Sequence, residues 1–107
     1  MSTTKEFVAY ILDQIDDPKA RARAMFGEYG LYYDDVIVAL ICDDTLFVKI
    51  TEGTKKILGN DAEMGPPYPT AKPSYVIDER YIEDRKKLRE LLKACAKDVQ
   101  KTKKRKP

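Results

Sequence analysis

Six polar side chains have the chemistry to bind an anion if the fold brings them together. A guanidinium or ammonium group beside a carboxylate and a tyrosine hydroxyl combines charge with directed hydrogen bonds. The six residues are Arg21, Arg23, Glu28, Asp34, Lys49 and Tyr75. The 107-residue chain contains no histidine, so an enzyme built on this set would depend on carboxylate, lysine or tyrosine groups alone. We therefore expect no catalytic residues and no enzymatic activity.

Three pairs of adjacent aspartates are candidate ligands for a hard metal ion. They are Asp16-Asp17, Asp34-Asp35 and Asp43-Asp44. Adjacent aspartates at turns are more often solvated turn formers, and the chain has no Asp-x-Asp-x-Asp-Gly loop. The glycines at 27 and 30 also lack the spacing of a phosphate-binding loop. We expect neither a bound metal ion nor a cofactor.

Two cysteines, Cys42 and Cys95, lie far apart in the sequence. They are too few for a disulfide scaffold and lack the paired spacing of a zinc site, so we interpret both as buried thiols. The sequence contains neither an apolar stretch of about 18 residues nor a cleavable leader. These features predict a cytoplasmic protein with no membrane association.

Charge is divided unevenly along the chain. Apolar residues make up 43% and charged residues 36% of the sequence, with a net charge of +2. Residues 1–73 carry 8 basic and 12 acidic residues, whereas residues 74–107 carry 12 basic and 6 acidic residues. The basic excess lies mostly near the end, at Lys97, Lys101, Lys103, Lys104, Arg105 and Lys106. These residues are candidate phosphate contacts for a nucleic acid, or alternatively a solubilising tail, because no aromatic residue for base stacking accompanies them.

The first element that positions these groups is a helix near the N-terminus. Its apolar residues are spaced to form one stripe, and they are Phe7, Val8, Ile11, Leu12 and Ile15. Ser2, Thr3 or Thr4 can cap its start. The run Asp16-Asp17-Pro18 ends it, because proline disfavours a helical conformation in the preceding residue.

Residues 24–50 have the pattern of an antiparallel meander. Short apolar runs at 25–26, 29–33, 36–42 and 46–50 are separated by glycines and by aspartate pairs. Both alternating sets of residues 36–42 are apolar, which is typical of a strand in the middle of a sheet. The glycines at 27 and 30 indicate a bend or bulge with Phe26 and Tyr29 in the core, or alternatively a loop that faces a ligand.

The second half of the chain predicts a short helix, a loop, a strand and a long helix. The short helix covers residues 53–60, with Thr54 as its cap and Gly59 at its end. A proline-rich loop at 64–69 leads to a strand at 75–77 that flanks the main sheet. From about Asp84 the apolar residues again form one stripe, and they are Leu88, Leu91, Leu92, Cys95 and Val99. We expect one α+β domain over residues 1–100, in the order α, three or four β, α, β, α, and a disordered basic tail over residues 101–107.

The middle of the chain resembles the N-terminal domain of the TfoX/Sxy competence-regulator family. Two strings carry the resemblance, Met-Phe-Gly-Glu-Tyr-Gly-Leu-Tyr-Tyr-Asp at 25–34 and Ala-Leu-Ile-Cys-Asp-Asp-Thr-Leu-Phe-Val-Lys at 39–49. The signature positions are Met25, Phe26, Gly27, Tyr29, Gly30, Tyr33, Asp34, Ala39, Leu40, Asp43, Asp44 and Lys49. Glu28, Asp35 and Pro73 depart from the usual pattern. The resemblance implies a two-layer fold, an antiparallel sheet packed against helices, similar to secretion chaperones.

The resemblance also implies a function in transcriptional regulation of DNA uptake. Full-length members resemble transcriptional coactivators with a second, helical domain, for which we expect no counterpart in this sequence, and the family offers no catalytic residues to transfer. We expect a regulatory module that contacts a protein partner or a second copy of itself through the apolar sheet, because a two-layer fold leaves one sheet face uncovered. The alternatives are a nucleic-acid-binding accessory protein and a small ligand-binding domain.

Overall fold

The computed structural model describes residues 4–25, 28–59 and 62–105, with side chains described as far as residue 101. The helices in these ranges are α1 (Lys5–Ile15), α2 (Glu52–Leu58), α3 (Glu79–Glu83) and α4 (Arg85–Arg105). The strands are β1 (Ala20–Met25), β2 (Glu28–Tyr33), β3 (Val36–Cys42), β4 (Thr45–Val48), β5 (Met64–Gly65) and β6 (Ser74–Ile77). None of these helices combines the length and the apolar composition that a bilayer-spanning segment needs.

The strands form one antiparallel sheet in the order β1-β2-β3-β4-β6-β5. Because β3 is fully apolar, it was predicted to lie in the interior of the sheet, and the structure places it there between β2 and β4. The strand at 74–77 is part of the same sheet, paired with β4. The predicted α+β class with helices against an antiparallel sheet is confirmed, and β5 and α3 are additional short elements.

Helix α1 begins and ends as the sequence predicts. The Thr4 hydroxyl accepts a hydrogen bond from the Phe7 N–H, which is the usual N-cap arrangement. The helix ends where Asp16 adopts a left-handed conformation. Both the N–H and the hydroxyl of Thr4 also bond to Asp44. These contacts fix the start of α1 at the turn between β3 and β4.

Strand β1 was not predicted as a whole, because its sequence alternates alanine with arginine rather than with β-branched or aromatic residues. Its register with β2 is regular from Ala20 opposite Tyr33 to Met25 opposite Glu28. Strand formation here follows from pairing with the apolar β2, a tertiary effect that outweighs the weak intrinsic preference of alanine. The predicted bend at 27–30 is wrong for Gly30, which lies within β2, and Phe26 and Gly27 lie outside the described residues.

The N-cap of α2 is Thr51, and the prediction of Thr54 as its cap was wrong. The Thr54 hydroxyl accepts a hydrogen bond from the Thr51 N–H at 2.7 Å, and the Thr51 hydroxyl accepts one from the Thr54 N–H. This reciprocal pair is a capping box, here with threonine at both positions. Gly59 ends the helix, as predicted.

Two aspartates begin the last two helices. The Asp78 side chain accepts from Tyr81 N–H at the start of α3, and the Asp84 side chain accepts from Lys87 N–H at the start of α4. Helix α4 continues to Arg105, five residues beyond the predicted boundary at residue 100. Lysine and arginine are good helix formers and interact favourably with the negative end of the helix dipole.

The core lies between one face of the sheet and helices α1 and α4. The helices contribute Val8, Ile11, Ile15, Leu88, Leu91, Leu92, Cys95 and Ala96 to one buried cluster. Every residue of the predicted α4 stripe from Leu88 to Cys95 is fully buried. In the described part of the chain, the helices therefore cover one face of the sheet and leave the other face without a helix.

Candidate interaction surfaces

The register of the strands assigns side chains to the two faces of the sheet. Directly opposed residues in antiparallel strands lie on the same face. One such row runs Leu31, Ala39, Val48, Tyr75 across β2, β3, β4 and β6, and all four residues are at most 4% exposed. This row belongs to the core cluster under the helices. We call its side of the sheet the inner face.

The neighbouring row lies on the opposite side and is also apolar. It runs Gly30, Leu40, Phe47, Val76 across the same strands. Tyr32 and Ile37 form a further opposed pair on this side. We call the surface made by the half-buried members the open face, and they are Tyr32, Ile37, Leu40, Phe47 and Val76. None of the five belongs to the core cluster.

A β-bulge in β3 explains why two of these residues lie three positions apart. The register with β2 shifts between Leu31 and Tyr32, which oppose Ala39 and Ile37. Val38 is the extra residue, and both Val38 and Ala39 are buried on the inner side. A bulge places two consecutive residues opposite one partner residue. As a result Ile37 and Leu40 both belong to the open face.

Gly30 makes room for side chains that fill the open face near β1. A Cβ atom at this position would lie 2.8 Å from Met25 Cε and 3.2 Å from Ile37 Cδ1. These two side chains therefore pack directly over the backbone of β2. The glycine of the signature string has a packing role, and Met25 extends the apolar surface towards the edge of the sheet.

Charged groups border the open face at β1 and at one end of the sheet. Arg21 and Arg23 are exposed, and Arg21 pairs with Asp35 at 2.9 Å. Glu28 accepts a hydrogen bond from the Asp43 N–H, at the turn between β3 and β4. The open face is thus apolar in the middle and charged at its border, as is typical of protein interfaces.

The six polar groups considered as an anion site do not converge. Tyr75 lies on the inner face of β6 and is buried, whereas Arg21 and Arg23 lie four strands away on β1. Strand spacing makes this separation about 19 Å. The Asp34 carboxylate and carbonyl both accept from the Gln100 side chain. These contacts do not form an anion-binding site.

The aspartate pairs at 34–35 and 43–44 form the hairpin turns. All four residues have positive φ angles, between 51° and 67°. A type I′ turn requires two consecutive residues in the left-handed conformation. The structure therefore agrees with the interpretation of these two pairs as turn formers. The described residues include no group of three or more cysteine, aspartate or glutamate side chains that could hold a metal ion.

Both cysteines are buried free thiols, as predicted. Burial raises the pKa of the Cys95 thiol to about 12, and its S–H donates to the Val38 carbonyl at 3.5 Å. Burial and the nearby Glu28 raise the pKa of Cys42. A thiol with a raised pKa is a poor nucleophile at neutral pH, so neither residue is suited to covalent chemistry.

The exposed side of α4 carries a stripe of lysines, which we call the lysine stripe. Its members are Lys86, Lys93, Lys97 and Lys101. None of these lysines forms an ion pair with a described residue. The arginines of the helix are engaged instead, since Arg85 pairs with Asp13 and Arg89 donates to the Ile15 carbonyl.

The lysine stripe continues towards α2. The Thr51 side chain and the Gly53 N–H bond to Asp98 and lower the pKa of its carboxyl, and Lys101 and Lys56 lower it further. Lysines of both helices therefore lower the pKa of the same carboxyl group. Among the predicted nucleic-acid contacts, Lys97 and Lys101 are exposed, residues 103–105 continue the helix, and Lys106 lies outside the described residues.

Two comparisons with known proteins found similar sequences. A family model described as the TfoX N-terminal domain matches residues 11–99. The chain is also 36% identical over 98 residues to a protein of Spirochaeta aurantia described as an uncharacterized 12.7 kDa protein in the trpE 5′ region. That alignment covers 90% of this chain and 83% of the relative.

Proposed function

The chain belongs to the family of TfoX N-terminal domains, and from this we propose that it is a regulatory interaction module that binds a protein partner through the open face. The observation that supports the proposal is the apolar row Leu40, Phe47, Val76 on the side of the sheet opposite the helices. Antiparallel strands with one solvated face normally alternate apolar and polar residues. Here the central strands are apolar on both faces.

The physical basis of binding is the removal of apolar surface from water. Each Å² of apolar surface removed contributes roughly 25 cal/mol. The bordering charges at Arg21, Arg23 and Glu28 add selectivity for the partner more than affinity. In the family context this partner belongs to the machinery that regulates transcription, and the two free thiols suit a reducing cytoplasm.

Replacing a central residue of the open face tests the proposal. Phe47→Glu puts a charge in the middle of the surface while leaving the inner row untouched. We expect the immobilised wild-type chain and a Lys86→Glu control to retain one and the same protein from bacterial extract, identified by mass spectrometry. Phe47→Glu should weaken binding of that purified protein by at least about ten-fold, equivalent to about 1.4 kcal/mol.

The same samples distinguish the other occupants of the surface. Light scattering measures the molar mass of each variant, and thermal unfolding checks that Phe47→Glu folds. A dimer that dissociates in Phe47→Glu would assign the open face to a second copy of the chain. Equal binding by Phe47→Glu and the wild type would exclude the open face as the interface.

Nucleic-acid binding through α4 is a second candidate function, favoured by the lysine stripe. Its four lysines lie on one side of the helix, and Lys55 and Lys56 are exposed on α2. Ammonium groups in this arrangement can neutralise successive phosphates and release counterions, without reading the base sequence.

A salt-dependent titration against a random duplex tests this second candidate. The variant Lys93→Glu with Lys97→Glu should weaken binding and reduce the slope of log affinity against log salt by about 2, since each lost phosphate contact removes about 0.9. A double change at two exposed residues outside the stripe, Lys19→Glu with Lys72→Glu, provides the matched control. Equal slopes for the two double variants would eliminate the lysine stripe as a nucleic-acid surface.

A further inference from the structure

The two edges of the sheet differ in how well they are protected. Strand β5 at one edge has two residues and is followed directly by Pro66 and Pro67. Short strands and prolines prevent further pairing at an edge. Strand β1 at the other edge has six residues, a regular register and no proline. A long, regular edge of this kind can accept another strand.

The backbone groups of β1 that point away from the sheet can be assigned from one hydrogen bond. The Lys19 carbonyl accepts from the Asp34 N–H at 3.0 Å, so Lys19 faces β2. Because successive residues in a strand alternate, Arg21 and Arg23 also direct their backbone groups towards β2. The N–H groups of Ala22 and Ala24 therefore point outward, and they have no hydrogen-bond partner among the described residues.

The side chains of β1 differ between the two faces of this edge. Arg21 and Arg23 lie on the same side as the open face and are exposed, and Arg23 has no ion pair among the described residues. Arg21 pairs with Asp35, but the two side chains are 63% and 84% exposed. An ion pair this exposed contributes little to stability and can be exchanged for another. On the inner side the edge carries the methyl groups of three alanines.

These charges select what kind of strand can pair with β1. Antiparallel pairing with a second copy, centred on Ala22, would place Arg21 of each chain opposite Arg23 of the other. Like charges directly opposite each other destabilise a strand pair. A strand with carboxylates at alternate positions would instead meet both guanidinium groups, with apolar side chains beside the alanines.

We propose that β1 is a docking edge for an extended acidic segment of a partner protein, which adds to the sheet as a further strand. Main-chain hydrogen bonds to residues 22 and 24 supply affinity, and ion pairs to Arg21 and Arg23 supply selectivity, as in other cases of strand addition. The inference rests on the proposed function in that the domain binds protein. It uses the backbone edge of β1 and shares with the open face only the bordering Arg21 and Arg23, not the apolar row, so each proposal can fail without the other.

The probe for this edge is a fluorescent seven-residue peptide of valine alternating with glutamate. We expect saturable binding to the full chain by anisotropy at low salt, and slowed hydrogen exchange of the Ala22 and Ala24 amides. Arg23→Glu should weaken binding by about ten-fold or more, since it turns attraction into repulsion. Phe47→Glu should bind the peptide as the wild type does, which separates this test from that of the open face.

Two further variants test whether the backbone groups are used. Ala24→Pro removes an outward N–H and leaves the bonds to β2 in place, so it should abolish binding without lowering the thermal midpoint. A peptide N-methylated at alternate amides tests the same bonds with the protein unaltered, and it should not bind. Any one of three results would overturn the proposal. A peptide with lysine in place of glutamate binds as tightly as the original peptide, Arg23→Glu leaves peptide binding unchanged, or the peptide does not slow hydrogen exchange at residues 22 and 24.

Discussion

Tyr33 and Asp17 connect the end of β2 to the segment between α1 and β1. The Tyr33 hydroxyl donates to an Asp17 carboxylate oxygen at 2.7 Å, and the Lys19 N–H donates to the other at 2.9 Å. These bonds lower the pKa of Asp17. Burial, together with the bond to Asp17, raises the pKa of Tyr33 to about 12. This signature tyrosine therefore has a structural role that is visible in the pH dependence of stability.

Replacing Tyr33 by phenylalanine should change how stability depends on pH. A carboxyl whose pKa is lowered in the folded state stabilises that state above about pH 4. This contribution disappears as the pH falls through the pKa of the folded state. A phenol with a raised pKa stabilises below about pH 10, and its contribution disappears as pH rises towards 12. The difference in unfolding free energy between the wild type and Tyr33→Phe should thus be largest near neutral pH and smaller at both acid and alkaline pH.

Urea denaturation across this pH range provides the measurement. Tyr32→Phe is the matched control, because Tyr32 is the neighbouring tyrosine on the open face and lacks the bond to Asp17. Because Tyr32 does not bond to Asp17, the unfolding free energy of Tyr32→Phe should remain parallel to that of the wild type from acid to neutral pH. A difference between wild type and Tyr33→Phe that does not vary with pH would contradict the assigned hydrogen bond.

Helix α4 holds the other elements together. Its inner stripe packs in the core cluster, Arg89 bonds to the last carbonyl of α1, and Asp98 accepts from the first turn of α2. The opposite side carries the lysine stripe. A single helix thus connects α1 and α2 to the sheet and presents a row of exposed lysines.

A charge within the inner stripe should prevent folding. Leu91 is fully buried, so Leu91→Asp places an unpaired carboxylate in the core, which costs far more than the loss of packing alone. Leu91→Ala should retain the fold and lose about 2–5 kcal/mol of unfolding free energy. The control Lys93→Asp, on the exposed side, should leave stability nearly unchanged. Circular dichroism with urea titration measures all three, and a stable Leu91→Asp would show that the helix face is misassigned.

Elements with clear periodicity could be predicted from the sequence, and those formed by tertiary context could not. The stripes of α1 and α4 and the apolar run of β3 locate these elements closely. In strand β1 the apolar positions that alternate with arginine are alanines, which have a weak preference for strands. The pairing of β1 with β2 could therefore not be predicted from the sequence. The bulge at Val38 and the capping box of Thr51 with Thr54 depend on contacts between elements. The residues of the open face could therefore be identified only from the strand register, which the sequence alone does not provide.

The whole molecule has a closed side and an open side. Helices cover the inner face, whereas Leu40, Phe47 and Val76 form an apolar row on the outer face, with the β1 edge beside it and the lysine stripe on α4. The fold alone does not specify a function, and we propose that function resides in these surfaces. Among them, we propose that the open face is the surface that contacts a protein partner.

Photo-crosslinking in living bacteria tests this claim most directly. A photoreactive amino acid is placed at position 40 in the open face, at position 86 in the lysine stripe, or at position 72 in the loop before β6. We predict a discrete covalent adduct from position 40, with one partner protein and lost in the Phe47→Glu background, and no such adduct from positions 86 or 72. The same adducts from all three positions, or none from position 40, would contradict the account.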